Sequence, residues 1–241
     1  MKNEINIKKL IIDERMRENE KSKLTELGYE LIELKESNEV YPEISSHVDI
    51  FTCKVGEKII VDPTQYLNMP KMPIFIEGQD ELESKYPFDI KYNVCIIGKK
   101  AIHNFQYTDM VVKQELIKNG YEFINTTQGY TNCSIAVIDD NSAIVTDKGL
   151  YKILQAHGID TLFINEELDI KLLNENEYSS KKGFIGGAIS RIGDNIIIVF
   201  GDLNKIDRNG KIRKFVEQKN LKIIDFKGLD VIDYGGIVII N

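Results

Sequence analysis

The sequence contains few of the residues that usually build disulfide or metal sites. Its three cysteines, Cys53, Cys95 and Cys133, show no C-x-x-C spacing. An odd number of cysteines at such positions argues against a disulfide framework and against a structural zinc site. The three histidines are also too dispersed for a metal site built from histidine. We therefore expect neither a metal nor another cofactor.

Positive charge and long apolar segments are scarce as well. The 31 lysines and arginines are outnumbered by 38 acidic residues, which gives a net charge of −7. Nucleic acid is not an expected partner, because its recognition requires a basic surface. No apolar run approaches the roughly 18 residues that a membrane helix needs, and the charged N-terminal segment lacks a signal-peptide cleavage site. We expect a soluble, cytoplasmic protein; the oligomeric state stays open.

The sequence does contain a degenerate internal repeat. Each copy has a strand, a tight polar turn and a second strand rich in β-branched residues, which is typical of a hairpin. The turns, at Gly56, Gly98, Asp140 and Asp194, are 42, 42 and 54 residues apart. The copies are HVDIFTCKVGEKIIVDP (47–63), DIKYNVCIIGKKAIHNF (89–105), TNCSIAVIDDNSAIVTD (131–147) and GGAISRIGDNIIIVFGD (186–202).

A second pattern accompanies the hairpins. Segments such as LTELGYELIEL (24–34) and LIKNGYEFINT (116–126) predict an amphipathic helix that stops at Gly or Asn and a strand that follows at once. The C-terminal VIDYGGIVIIN (231–241) lacks a hairpin partner, and pairing it with the N-terminal IKKLIIDER (7–15) completes a fifth unit. We predict one α/β domain, residues 1–241, folded as a five-bladed α/β propeller whose closed ring removes exposed sheet edges.

The segment between Asp62 and Phe88 departs from this plan. It contains four of the five prolines in the chain, so its helix is predicted to be weak or replaced by a loop. Loop 64–88 is then either a surface excursion or a lid at the entrance of a site.

Five hairpin-helix-strand units in a ring resemble the pentein fold. Guanidine-modifying amidinotransferases and deiminases share this fold with a non-catalytic ribosome anti-association factor. HVDIFTCKVGEKIIV (47–61) resembles the His-x-Asp strand of the deiminases, and GYTNCSIAVID (129–139) resembles the strand that presents their nucleophilic cysteine. The sequence also resembles a clostridial-type family of unknown activity with Ser-x-His-Pro-Asp-Ile and Gly-Tyr-x-x-Cys motifs.

The order of these motifs differs from the order that the resemblance implies, in which the cysteine lies near the C-terminus. Here 108 residues follow Cys133. A ring can be opened at any blade without moving a side chain, so we interpret the difference as a circular permutation. The repeat interval independently places Asp49, Lys91, Cys133 and Gly187 at equivalent positions. We expect Asp49 and Cys133 to face one central cavity, with His47 beside them.

The resemblance implies a hydrolase or transferase that cleaves a guanidine or amidine C–N bond through a covalent thiouronium intermediate. Cys133, with a depressed pKa, would be the nucleophile, and His47 would transfer protons. Asp49 would orient the imidazole or bind a substrate N–H. Lys91 would lower the thiol pKa if it points inward, but it can equally point outward. The predicted ligand is a small guanidine-like cation.

The predicted substrate-binding residues lie around this set. Asp13 or Asp233 would accept hydrogen bonds from the opposite edge of the guanidinium. Arg191 would meet a substrate carboxylate, or else solvent at the end of its hairpin. Asn132 adjoins the predicted nucleophile and completes the candidate set.

Each catalytic candidate also has a structural interpretation. A cysteine in an apolar strand is often an inert core residue, His47 can be a satisfied polar strand residue, and Asp49 can be a hairpin or cap acceptor. The alternative function is a non-catalytic protein of pentein fold that binds a small ligand, a protein or a ribosomal partner.

The segment GFIGGAISRIG (183–193) imitates a glycine-rich dinucleotide loop. Such a loop must follow a strand and open a helix, whereas here a polar segment precedes the glycines and a strand follows. We interpret the glycines as permitting close approach of backbones near the ring axis.

Overall fold

The structure, a computed structural model, describes residues 8–174 and 177–240. None of the helices in these ranges is long and apolar enough to cross a membrane. The strands are β1 (Lys9–Asp13), β2 (Glu30–Leu34), β3 (Thr52–Val55), β4 (Lys58–Val61), β5 (Phe75–Glu77), β6 (Cys95–Ile97), β7 (Lys100–His103), β8 (Glu122–Asn125), β9 (Ile135–Asp139), β10 (Ser142–Val145), β11 (Asp160–Phe163), β12 (Ile170–Asn174), β13 (Glu177–Lys182), β14 (Ile189–Ile192), β15 (Ile196–Val199), β16 (Lys222–Ile224), β17 (Val231–Ile232) and β18 (Val238–Ile240). The α-helices are α1 (Glu18–Glu26), α2 (Val48–Phe51), α3 (Pro63–Tyr66), α4 (Met110–Lys118), α5 (Thr131–Ser134), α6 (Lys148–Ala156), α7 (Ile185–Ala188) and α8 (Lys211–Glu217).

Five three-stranded sheets within the described ranges share one topology. In each, a central strand (β1, β4, β7, β10 or β15) pairs antiparallel on one side and parallel on the other. The parallel partner is the strand that follows the helix of the unit. The α/β class and the four hairpins predicted from the repeat are therefore observed, as small mixed sheets. Closure of the five sheets into a ring stays a prediction.

The sheet of β1 contains strands from both ends of the described chain. β18 pairs antiparallel with β1, so that Leu10 lies opposite Ile239, and β2 pairs parallel with the other edge of β1. Leu10, Ile11 and Ile12 are fully buried. Burial of these apolar side chains stabilises the pairing of two segments that are far apart in sequence.

The helix ends predicted from the sequence are confirmed. Gly28, Gly120 and Gly158 follow α1, α4 and α6 with positive φ, and Asn220 follows α8 with a φ of 59°. This left-handed conformation, which glycine and asparagine adopt more readily than other residues, ends a helix. The next strand begins two residues later in each case.

The predicted strands are wrong around the candidate site residues. His47 precedes the one-turn helix α2, Asp49 lies within α2, and Cys133 lies within the one-turn helix α5. The strands β3 and β9 begin only after these helices. The residues of α2 are buried on every side, so their apolar pattern has no solvent face that distinguishes a helical turn from a buried strand.

A further sheet is formed by β12, β13 and β17, and its first two strands lie in the longest repeat interval. The β12–β13 hairpin lies between β11 and α7. It contacts the segment before His47, where the Ser179 hydroxyl donates to Glu43 at 2.8 Å and the Lys181 ammonium lies 3.1 Å from the same carboxylate. The interval of 54 residues therefore includes an inserted hairpin.

The proline-rich segment retains the plan of the unit in a reduced form. Its helix, α3, is a single turn capped by Asp62, whose carboxylate accepts from the N–H groups of Thr64 and Gln65. Its strand, β5, has three residues and still pairs parallel with β4. The weak helix predicted from the prolines is thus observed, and whether loop 64–88 acts as a lid stays a prediction.

Gly98→Ala should destabilise the protein more than Gly120→Ala. Both glycines have positive φ, 57° and 68°, so each substitution introduces about 1–2 kcal/mol of backbone strain. A Cβ at Gly98 would also lie 2.6 Å from the carbonyl oxygen of Asp140 in the next hairpin, whereas nothing lies within 4 Å at Gly120. We expect an additional loss of about 1–3 kcal/mol at Gly98, measured by urea denaturation. Equal losses would contradict this contact between the two turns.

Candidate functional site

Polar side chains from separate units meet in one buried cluster. His47, Asp49, Asn93, Cys133 and Asp233, which we call the central cluster, are each at most 2% exposed. Charged side chains are rarely buried to this extent unless they are paired. The central cluster is therefore the candidate functional site.

Asn93, which the sequence analysis did not identify, connects the cysteine to the aspartate. Its Nδ2 donates to Sγ of Cys133 at 3.1 Å and to the carbonyl oxygen of Asp49 at 2.9 Å. Its Oδ1 accepts from the backbone N–H of Asn132 at 2.9 Å. One side chain thus holds α2 and α5 together. Its place two residues after Lys91, in the unit between those of His47 and Cys133, is the signal that could have indicated it.

Lys91 itself points away from the central cluster. Its Nζ donates to the carbonyl oxygen of Glu81 at 2.6 Å and lies 6.0 Å from the centre of the Phe88 ring. Of the two orientations considered for the Lys91 side chain, the outward one is observed. Lys91 therefore does not supply the positive charge that would lower the pKa of the thiol.

Asp233 is oriented by backbone groups. It accepts from the N–H groups of Gly235 at 2.9 Å and Phe184 at 2.8 Å. Its Oδ1 also lies 3.7 Å from Nδ1 of His47. A Cβ at Gly187 would lie 1.7 Å from this oxygen, so only glycine leaves room for the carboxylate. The predicted close approach of backbones is seen at Gly186, where a Cβ would lie 2.1 Å from the carbonyl oxygen of Asn132, and its place near a ring axis stays a prediction.

Several polar atoms of the central cluster lack a protein partner. Among the described residues, neither ring nitrogen of His47 and neither carboxylate oxygen of Asp49 makes a hydrogen bond, although all four atoms are buried. Buried polar atoms are hydrogen-bonded in the great majority of cases, and an unpaired buried carboxylate is costly. This arrangement is expected where a polar ligand supplies the hydrogen-bond partners.

Burial also controls the protonation of the central cluster. It raises the pKa of the Cys133 thiol well above the usual value, and the negative charges of Asp49 and Asp233 raise it further. Desolvation raises the pKa of Asp49 to about 6 and lowers the pKa of His47. The raised thiol pKa is opposite to the depressed pKa that the resemblance implies, and burial favours the protonated thiol and the neutral imidazole.

Asp13 lies close to the site, but its carboxylate is already engaged. It accepts from Nη2 of Arg15 at 2.8 Å and from the hydroxyl of Ser46 at 2.6 Å. Arg15 donates as well to the carbonyl oxygens of Pro42 and Glu43. The ion pair thus anchors the segment before His47, and of the two predicted clamps only Asp233 belongs to the central cluster.

Arg191 and Asn132 line a separate cavity of about 160 Å³, together with Gly235 and Gly236. Nη1 of Arg191 donates to the exposed carboxylate of Asp140 at 2.9 Å. The guanidinium is thus held at the end of its hairpin, and whether it meets a substrate carboxylate or solvent stays a prediction. Asn132 joins the cavity to the cluster through the backbone hydrogen bond to Asn93.

A protein-family model, described as a family of unknown function (DUF6873), matches residues 11–238. The chain belongs to this family. No curated protein matches the sequence.

Solved structures with a similar fold include two enzymes of known source. DDAH from Pseudomonas aeruginosa, complexed with citrulline, superposes with a TM-score of 0.54 at 10% identity, over 93% of this chain and 92% of that chain. The inosamine-phosphate amidinotransferase of Streptomyces griseus gives a TM-score of 0.52 at 10% identity, over 89% of this chain and 74% of that chain. Both are members of the pentein superfamily. The chain therefore has a pentein-like α/β fold, and the predicted resemblance is confirmed.

Asp49→Asn should make the stability of the protein less dependent on pH. Burial raises the pKa of this carboxyl from 3.8 to about 6. The fold therefore loses stability as the pH rises through that interval, because the carboxyl must ionise while buried. A difference of one pKa unit corresponds to about 1.4 kcal/mol, so the substitution should remove up to about 3 kcal/mol of this loss.

Urea denaturation between pH 4 and pH 8 measures the effect. Asp160→Asn, which changes an exposed carboxylate paired with Lys219, is the matched control and should leave the pH profile unchanged. A uniform loss of stability in Asp49→Asn at every pH would instead identify Asp49 as an ordinary structural acceptor.

Proposed function

We propose that the protein is a cysteine-dependent hydrolase or amidinotransferase that acts on the C–N bond of a guanidine-like or amidine-like substrate. The main support is the burial of the Cys133 thiol beside the unpartnered carboxylate of Asp49, in one cluster with the unpartnered imidazole of His47. A nucleophile, a proton carrier and cation-binding acids are the groups that this chemistry requires. The pentein-like fold, which DDAH and an amidinotransferase share, is consistent with the proposal.

The carboxylates of Asp49 and Asp233 would bind the cation. The two free oxygens of Asp49 accept N–H groups of the planar guanidinium. Asp233, held by backbone N–H groups, supplies a second negative charge next to His47. The bound cation replaces the hydration that both carboxylates lose by burial.

The same cation would activate the nucleophile. Negative charges on Asp49 and Asp233 help to keep the pKa of Cys133 high, and a bound positive charge offsets them, so the thiol pKa falls when the substrate binds. His47, which burial keeps neutral, accepts the thiol proton. Asn93 holds Sγ in place through its amide N–H.

The reaction then proceeds in two displacements. Sγ of Cys133 adds to the central carbon of the guanidinium to form a tetrahedral adduct. His47 returns its proton to the leaving nitrogen, the C–N bond breaks and an amine departs, which leaves a thiouronium on Cys133. Water in a hydrolase, or an acceptor amine in a transferase, loses a proton to His47 and displaces the thiol.

The proposal includes the closed ring of five blades. β9 packs against β6 on one side and β14 on the other, and α5 packs against α7. These contacts support a sequential arrangement of neighbouring sheets. In a closed ring the one-turn helices before the hairpins lie near the axis, where the central cluster forms.

Cys133 should react preferentially with 2-chloroacetamidine. The amidinium of this reagent is a cation that the carboxylates bind, and its chloromethyl carbon is then held near Sγ. We expect Cys133 to be labelled at least ~10-fold faster in the wild-type protein than in Asp49→Asn, since a hydrogen bond to a charged group contributes roughly 1.5–3 kcal/mol. Neutral iodoacetamide should not distinguish the two proteins to this extent.

Peptide mass spectrometry locates the label, and Cys133→Ala, which retains Cys53 and Cys95, is the control. Equal labelling of Cys133→Ala would refute the assigned nucleophile.

The ratio of the chloroacetamidine rate to the iodoacetamide rate should increase as the pH rises through about 6, where the Asp49 carboxyl ionises. Ionisation creates the negative charge that attracts the amidinium, and the ratio removes the part of the pH dependence that comes from the thiol itself. In Asp49→Asn the ratio should vary less with pH. A ratio that is constant with pH in the wild-type protein would show that Asp49 does not bind the cation.

A further inference from the structure

The reaction described above does not use Asp89, which is a further buried carboxylate. Asp89 is 1% exposed, and its Oδ2 accepts from the hydroxyl of Tyr130. Its Oδ1 is buried without a hydrogen-bond partner among the described residues. Asp89 follows His47 by the repeat interval of 42 residues, so it occupies the equivalent position in the next unit.

Aromatic residues connect Asp89 to the central cluster. Tyr130 immediately precedes α5, which carries Cys133. The Tyr130 ring stacks on Phe184 with 6.2 Å between the ring centres, and the N–H of Phe184 donates to Asp233. Asp89 is therefore linked to the central cluster through Tyr130 and Phe184.

Tyr41 belongs to the same group. Burial raises the pKa of its hydroxyl, and the negative charge of Asp89 adds to the rise. Its ring carries the Lys181 ammonium 4.4 Å from the centre. The Tyr130 hydroxyl and the Asp89 carboxylate thus form a polar pair at the start of α5.

Among the described residues, the two cations beside Asp13 and Tyr41 are already paired. Arg15 donates to Asp13 and to the carbonyl oxygen of Pro42, and the ammonium of Lys181 lies 3.1 Å from the carboxylate of Glu43. Neither is free to bind a carboxylate on a ligand. The charge that a ligand meets here is negative.

We propose that Asp89, with the hydroxyl of Tyr130, binds a second positively charged nitrogen of the substrate. The substrate class is then an aminoalkyl guanidine or amidine, not an amino acid. A carboxylate with a free buried oxygen forms a strong charge-assisted hydrogen bond with an ammonium. The inference rests on the proposed function only for the guanidine end of the ligand.

Isothermal titration calorimetry on Cys133→Ser, which lacks the nucleophile, tests the subsite. The ligands are methylguanidine, ω-aminoalkylguanidines with two to six methylene groups, and arginine. We expect one chain length to bind at least ~10-fold more tightly than methylguanidine, as a charge-assisted hydrogen bond would predict. Arginine, which carries a carboxylate, should gain nothing over methylguanidine.

Asp89→Asn in the same background should abolish the gain and leave methylguanidine affinity within twofold. Asp160→Asn, the exposed charge-matched control, should retain it. Tyr130→Phe keeps the Asp89 carboxylate but removes its hydrogen bond, so it should lose part of the gain, and it replaces Asp89→Asn if circular dichroism shows that variant to be unfolded. Absence of any gain, its survival in Asp89→Asn, or arginine binding as tightly as the best ligand would overturn the proposal.

Simple α,ω-diaminoalkanes separate this inference from the proposed function. Binding of a diamine that depends on Asp89, without binding of any guanidine, would support the subsite and refute the guanidine enzyme. Binding of methylguanidine without a chain-length gain would support the guanidine site and refute the subsite at Asp89. Failure of every ligand to bind would overturn both.

Discussion

Burial of acidic groups beside a thiol is the constraint on which the site depends. Asp49 and Asp233 lie with Cys133 in the central cluster, where each carboxylate raises the thiol pKa. Water would stabilise these charges better than the protein does, so the apolar cores of the surrounding sheets must offset the loss. Such a loss of stability is characteristic of functional sites, because selection for stability alone would remove it.

Glycines, which carry no side chain, make this burial sterically feasible. Gly187 leaves room for the Asp233 carboxylate, and a Cβ at Gly235 would lie 2.6 Å from Cβ of His47 and 2.7 Å from Oδ1 of Asp49. Gly235 also adopts a φ of 68°, which glycine tolerates best. The cluster is therefore assembled where backbones approach one another more closely than any side chain would allow.

In the proposed reaction, the electrostatics of the cluster make the reactivity of the thiol depend on the bound substrate. A protonated, buried thiol is a poor nucleophile and is slow to oxidise. A cationic ligand changes the local charge balance and removes part of the reason for the high pKa. In the proposed reaction, recognition of the substrate and activation of Cys133 are thus the same electrostatic event, and no permanent positive charge from a residue such as Lys91 is needed.

Local physical chemistry made much of the fold predictable. Turn residues, β-branched strands and left-handed helix stops such as Gly120 act over a few residues, so the repeat predicted the hairpins and helix ends from the sequence alone. The same period placed Asp49 and Cys133 at equivalent positions. Only the tertiary structure decided that Asn93 joins them, that Arg15 neutralises Asp13, and that the thiol pKa rises. These properties arise from burial and from charges in units far apart along the chain, which a local sequence pattern does not encode.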